Sequence, residues 1–203
     1  MSNKFESIVT PKGVLSYPHL KTADTKFDDV GSFKTGFIVD ADGHSKLLEV
    51  LQPILSAYVE SDKERKTKHK SWSVGLPFDE QLDEDGNETG KFIWKFSQKA
   101  YFIKADGERI DFSVAMIDAQ RKPTDANPFG GTVAKIRAQV RPYAMSTSKS
   151  YGLSLKPNMV QILELVEGGS SNTGGFEDEE GYSAPEESNT LQGATEFDEE
   201  ADF

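Results

Sequence analysis

Apolar and polar positions alternate, regroup and then vanish along this chain, and each change of period marks an element. Residues 4–22 are mixed, with turn residues at Pro11-Lys12-Gly13 and Tyr17-Pro18, and predict a short strand or an extended arm. Residues 32–39 have the β-branched and aromatic content of a strand, bounded by Gly31 and by Asp40-Ala41-Asp42-Gly43. Leu47, Leu48, Leu51, Ile54, Leu55 and Tyr58 then recur at helical spacing. They predict an amphipathic helix over 44–60, N-capped by Asp42 or Ser45 and kinked or split at Pro53.

The pattern lapses over 61–90, a long excursion with a basic half from Lys63 to Lys70 and an acidic half from Asp79 to Glu88. From residue 91 the period is two, so Phe92, Trp94 and Phe96 share a face. The run continues through Tyr101-Phe102-Ile103-Lys104, and Asp106-Gly107 predicts a hairpin turn into a strand over 110–117. A Pro/Gly-rich loop at 123–131 leads to strands over 132–143, 150–156 and 159–166. One strand, a helix, a long loop and four or five antiparallel strands predict a mainly β fold. The expected form is an OB-fold, a five-stranded Greek-key barrel, carrying one amphipathic helix. Phe37, Phe92, Trp94, Phe96 and Phe112 are expected in its core.

Charge divides the chain in two. It holds 34 acidic against 23 basic residues, a net charge of −11. Twelve of the acids, and no Lys or Arg, lie in 167–203, which leaves 1–166 close to neutral. An acidic protein is ordinarily a poor partner for nucleic acid, but a near-neutral body with clustered bases and a separate polyanion is not. The tail begins with the linker-like Gly168-Gly169-Ser170-Ser171 and has few large apolar residues, so it is expected to be disordered. The expected organisation is one domain over 1–166 and an acidic tail over 167–203 ending in Phe203. The chain has no cysteine, which removes disulfides, Cys-ligated zinc and thiol nucleophiles. No basic-then-apolar leader opens it and no apolar run is long enough for a bilayer, so a soluble, intracellular-type protein is expected.

A nucleic-acid groove needs cations for phosphates and flat side chains for bases. Lys135, Arg137, Gln139 and Arg141 are spaced by two, so a strand would project them from one face, as a phosphate-binding strip or simply a solvated sheet surface. Lys95, Lys99, Tyr101 and Lys104 lie near Trp94 and Phe96, and Tyr143 and Lys149 follow the strip. Tyr101, Tyr143 and Tyr151 are stacking candidates or core residues. The run from Lys63 through Lys68 and Lys70 to Trp72 reads equally as a clamp or as a surface run. Asp83, Asp85 and Asn87 imitate the start of a calcium loop, but the glycine and the closing glutamate are misplaced, and a hairpin loop is expected instead. His19, His44 and His69 lack metal-ligand spacing, and no phosphate loop or nucleophile elbow is present. No enzyme, cofactor or metal is therefore expected. The rivals are a metal-dependent nuclease using Asp106, Glu108, Asp111 or Asp118, and a protein–protein interaction module with no direct DNA binding.

Several features then fall in one order. They are Gly31-Ser32-Phe33-Lys34, the basic loop into Lys70-Ser71-Trp72-Ser73-Val74-Gly75-Leu76-Pro77-Phe78, the Asp85-Gly86 turn and Val140-Arg141-Pro142-Tyr143. In the tail they are Gly168-Gly169, Gly181-Tyr182 and the terminal Asp202-Phe203. This series, from about residue 4 to 203, resembles the single-stranded DNA-binding proteins of T7-like bacteriophages. The resemblance implies an OB-fold that binds single strands without sequence preference, promotes annealing and serves DNA replication, recombination and repair in the cytoplasm of the infected host. It also implies a homodimer formed through the tail, and a tail that engages the phage DNA polymerase and helicase-primase. Tyr143 matches a stacking tyrosine, Lys4 a lysine of the DNA surface and Phe203 the terminal aromatic. Met145 stands where a tryptophan is expected, Val30 where an arginine is, and the 104–109 hairpin is shorter, leaving Lys104 and Arg109. The expected DNA-binding set is Lys4, Lys34, Lys68, Lys70, Trp72, Lys99, Tyr101, Lys104, Arg109, Lys135, Arg137, Arg141, Tyr143 and Lys149. The expected partner-binding residues of the tail are Asp198, Glu199, Glu200, Asp202 and Phe203, and the tail is expected to compete with DNA for the groove.

Overall fold

In the structure, a computed structural model that describes residues 6–61 and 71–167, five strands close into a ring. Strand β2 (Gly13–Asp24) pairs antiparallel with β3 (Ser32–Val39), and β3 with β6 (Glu88–Lys99). β6 then runs parallel to β11 (Ser150–Glu164), laddered to it through a single residue pair, Phe96 with Leu155. β11 pairs antiparallel with β10 (Val133–Met145), whose first residues return to β2. This is the Greek-key order of an OB-fold, and the mainly β expectation holds. Shorter strands dress the ring. β1 (Ser7–Val9) lines β10, β4 (Ser73–Gly75) and β9 (Ala115–Ile117) run parallel to β11, and β5 (Phe78–Leu82) borders β6. β7 (Tyr101–Ile103) and β8 (Arg109–Asp111) form a separate hairpin. No helix among the described residues is long and apolar enough to cross a membrane.

The period-two pattern fills the barrel. β3 turns Phe33, Thr35, Phe37 and Val39 inward, β6 Trp94 and Phe96, β10 Ala134, Ile136, Ala138 and Val140, and β11 Leu153, Leu155, Val160 and Ile162. Phe37 meets Phe96 edge-on at 5.9 Å. Each large apolar side chain so buried contributes roughly 1.5–3 kcal/mol. Helix α1 (Ala41–Glu60) lays Leu47 and Leu51 on this core. Its His44 is buried, stacked on Phe92 at 3.7 Å and edge-on to Phe78, and burial holds the imidazole below its ordinary pKa.

Five details differ from the sequence expectation. The helix starts at Ala41 with Asp40 as N-cap, its carboxylate accepting from the Gly43 N–H at 2.8 Å; Asp42 instead pairs with Lys46, and the Ser45 hydroxyl donates to Ala41 O. Pro53 neither splits nor ends it, because the ring lies on the exposed side while Leu51 behind it and Ile54 and Leu55 ahead of it keep their packing. Residues 13–24 form a full barrel strand, and Tyr17-Pro18 is a bulge within it, with Tyr17 at φ 46° and a register skip between Ser16 and His19. The expected strand over 110–117 is broken: Phe112 stacks on Phe102 in the hairpin at 5.9 Å, whereas Val114 and Met116 enter the barrel. Residues 61–90, expected as loop, contain β4 and β5. The 83–87 stretch is the β5–β6 turn, its Asp83 carboxylate accepting from the Asp85 and Asn87 N–H groups.

Candidate nucleic-acid interface

Because the odd-numbered positions of β3 and the even-numbered ones of β6 face inward, their alternates form an outer surface. Across it Ser32 lies opposite Lys99, Lys34 opposite Ser97, Gly36 opposite Lys95 and Ile38 opposite Ile93. This is the second-to-third strand face of the ring, the surface on which OB-folds bind oligonucleotides together with the loops after their first and fourth strands. Those loops are 25–31 and 146–149 here. Gly31 O accepts from Ala100 N–H, which sets the first loop where β6 ends; the second precedes β11, which runs parallel to β6. The two loops therefore bracket the face from opposite ends.

Three lysines of this face each carry an aspartate. Lys34 Nζ lies 2.5 Å from Asp24 Oδ2, Lys95 pairs with Asp79, and Lys99 pairs with Asp28. The Lys34 hydrogen bond, and next the Lys26 N–H, hold the Asp24 carboxyl below the usual range. The adjoining β10–β11 surface is different. Its register sets Gln139 opposite Lys156, Arg141 opposite Ser154 and Tyr143 opposite Gly152. Burial, then the charges of Arg141 and Lys99, push the Lys156 ammonium below the ordinary lysine pKa, so cations from three strands converge there. Among the described residues Lys156 has no carboxylate partner. Arg141 is oriented by Gln139 Oε1, which accepts from its Nε and Nη2 at 3.0 and 2.9 Å.

Flat groups flank this track. Tyr143 lies over Gly152: a methyl there would come within 3.0 Å of the Tyr143 hydroxyl and 2.1 Å of Gly75 O, so only glycine lets β4 approach β11. Ser73 N–H donates to Lys149 O at 3.0 Å, which brings Trp72, Lys149 and Tyr143 to one end of the barrel. At the other end the Arg109 guanidinium covers the Tyr101 ring at 3.8 Å. Phe27, on the 25–31 loop beside Asp28, is 84% exposed, with Lys26 Nζ 5.4 Å from its ring.

The sequence-predicted set is thus partly assembled. Lys34, Trp72, Lys99, Tyr101, Arg141, Tyr143 and Lys149 lie on or around the bracketed face. The alternation of β10 is as expected, but Lys135 and Arg137 sit opposite Gln161 and Met159, toward the strand's beginning. Lys104 pairs with Glu108 at 2.5 Å and Arg109 with Asp111 at 2.7 Å within the hairpin. Those same contacts hold two of the carboxylates of the nuclease reading, and a third, Asp106, accepts from Glu108 N–H. Tyr151 is 5% exposed and belongs to the core, since it stands an even number of residues from the inward Leu153. Lys4, Lys68, Lys70, Asp198, Glu199, Glu200, Asp202 and Phe203 lie outside the described residues. Lys156 and Phe27 were missed. Lys156 was legible as the outward alternate of Leu153 and Leu155, whereas nothing in the sequence separates an exposed Phe27 from a buried one.

A ring of this order is a fold that the chain shares with solved phage single-stranded DNA-binding proteins. Among solved structures it is similar to gp2.5, a single-stranded DNA-binding protein encoded by bacteriophage T7, with TM-score 0.66 and 17% identity over 89% of this chain and 100% of that one. It is also similar to the single-stranded DNA-binding protein of bacteriophage Enc34. The form solved in complex with single-stranded DNA gives TM-score 0.52 at 13% identity, over 79% of this chain and 88% of that one. The C-terminal truncation gives 0.51 at 13%, over 79% and 87%. No protein-family model and no curated protein matches the chain.

Proposed function

We propose that this chain is a single-stranded DNA-binding protein of phage DNA replication, recombination and repair, acting by binding rather than by catalysis. The observation that carries the reading is the convergence of Lys99, Arg141 and Lys156 on a bracketed barrel face that also bears Lys34 and Lys95. Phosphates lie against these cations, and bases stack on Tyr143, Trp72, Phe27 and the Tyr101–Arg109 unit. Backbone charge and π faces are common to all bases, so binding is without sequence preference and falls with salt. The fold's likeness to a protein solved with single-stranded DNA supports the same reading.

In this proposal residues 1–166 hold DNA and the tail over 167–203 contends for the face, being tethered at roughly millimolar effective concentration. DNA frees the tail, whose Asp198, Glu199, Glu200, Asp202 and Phe203 then recruit the phage DNA polymerase and helicase-primase. Annealing, a homodimer and the cytoplasm of the infected bacterium complete the proposal. The test is a fluorescence titration with oligo-dT of the full chain and of a form lacking 168–203, at two salt concentrations. Trp72 is the reporter, because Trp94 is fully buried. Quenching in both, tighter without the tail, is expected. A truncated barrel that ignores oligo-dT in dilute buffer overturns DNA binding and leaves the protein–protein interaction module.

A further inference from the structure

Three of the lysines on the outer face of β3 and β6, Lys34, Lys95 and Lys99, each meet an aspartate from a different element. Asp24 ends β2, Asp28 belongs to the 25–31 loop and Asp79 lies on β5. The chain thus delivers three carboxylates, separately, to the positions where cations face outward. A carboxylate and a phosphate diester make the same demand of an ammonium group: an anionic oxygen accepting its N–H bonds. Resting on the DNA-binding reading, we infer that Asp24, Asp28 and Asp79 occupy three phosphate subsites and are exchanged for DNA phosphates as the strand binds, while Lys156 marks a fourth subsite that stands open.

The exchange is inexpensive where the pairs are wet. Lys99 and Asp28 are 52% and 40% exposed, and Lys95 and Asp79 62% and 61%. Exposed pairs of this kind contribute little to stability. The Asp24 subsite is the tightest, because that side chain is 14% exposed and also accepts from Lys26 N–H at 2.9 Å. Lys156 is the contrasting case: Lys99 and Arg141 repel its charge and no described carboxylate relieves it, so the first phosphate gains most there. Lys99 borders that subsite, and Asp28 is then the first carboxylate to leave.

A consequence separates these subsites from ordinary cationic ones. A phosphate contact normally releases a counterion from DNA, and about 0.7 of a cation per contact appears in the salt slope for single strands. An aspartate set free in the same step attracts a cation again. Four plain contacts give a slope of about −3, and the native protein falls short of it.

The experiment is an oligo-dT titration of the full chain across a salt series, comparing the wild type with Asp28→Asn, Asp79→Asn and the double variant. Asparagine keeps the acceptor that Asp28 Oδ1 offers to Val30 N–H, so the loop is retained, and thermal melting checks the fold. Asp42→Asn, which removes the same charge from the Lys46 pair on the helix, controls for net charge. Each face variant is expected to bind several-fold tighter at low salt with a steeper salt slope, and the double variant to add the two. The control is expected to match the wild type in slope. If the wild type binds and the folded face variants show its slope, the inference falls while the DNA-binding reading stands. If no form binds, both fall.

Discussion

The β3–β6 and β10–β11 surfaces both carry outward bases and lie on adjoining walls of one barrel, yet those bases are set in opposite surroundings. On the first, Lys34, Lys95 and Lys99 are each answered by an aspartate. On the second, Lys156 shares its surroundings with Arg141 and Lys99 and keeps its charge against their repulsion. A count of bases would rank the two alike. The positions of the acids, which come from the neighbouring elements and not from the strands themselves, make one a satisfied surface and the other a poised one.

The largest test of this contrast is charge reversal on the poised side. Lys156→Glu with Arg141→Glu is expected to weaken oligo-dT binding about a hundredfold, since like charge facing phosphate costs several kcal/mol; parity with the wild type in the same titration would put the strand elsewhere. Phe27→Ala comes next, with a loss of about tenfold, within the ~1–3 kcal/mol that base–aromatic stacking contributes. Fluorescence or gel-shift affinity reads it out, and an unchanged value would make the exposed ring incidental. Smaller still is the effect of pH. A lysine whose pKa is lowered loses its charge at a lower pH than other lysines, so affinity falls as pH rises through that depressed value while the satisfied lysines still hold theirs. Lys156→Arg stays charged and is expected to abolish this early alkaline fall, a difference of a few-fold seen by repeating the titration from neutral to alkaline pH. Least affected is Lys135→Ala with Arg137→Ala, expected to cost about twofold, because these residues stand opposite Gln161 and Met159 and away from the three-strand cluster.

Legibility in the sequence followed how local each signal was. The helix showed through Leu47, Leu51 and Ile54, and β10 through the alternation of Ile136, Ala138 and Val140 with Lys135, Arg137 and Arg141, since both are periodicities within one segment. β2 was hidden because Tyr17-Pro18 breaks its alternation in the middle, where the structure has a bulge and not a turn. The single strand expected over 110–117 failed because its two halves answer to different partners, Phe102 and the barrel core. At the site, the outward bases were readable one strand at a time. Their pairing with Asp24, Asp28 and Asp79 was not, being a product of register between segments far apart in the chain. Tyr143 and Tyr151 look alike in the sequence, and opposite pleat directions send one to the surface and the other inside.

The lone residue pair joining β6 to β11 bears on how such a face tolerates an irregular ligand. The β10–β2 seam has two such pairs and the other ladders of the ring more, and Lys99 and Lys156 stand on the two banks of the β6–β11 seam. Under the proposed DNA-binding role, the two charges flanking this seam belong to strands that share only one ladder pair, so their separation is set by side-chain reach more than by backbone register. Long, flexible lysine stems can then follow an uneven phosphate spacing without reading the bases.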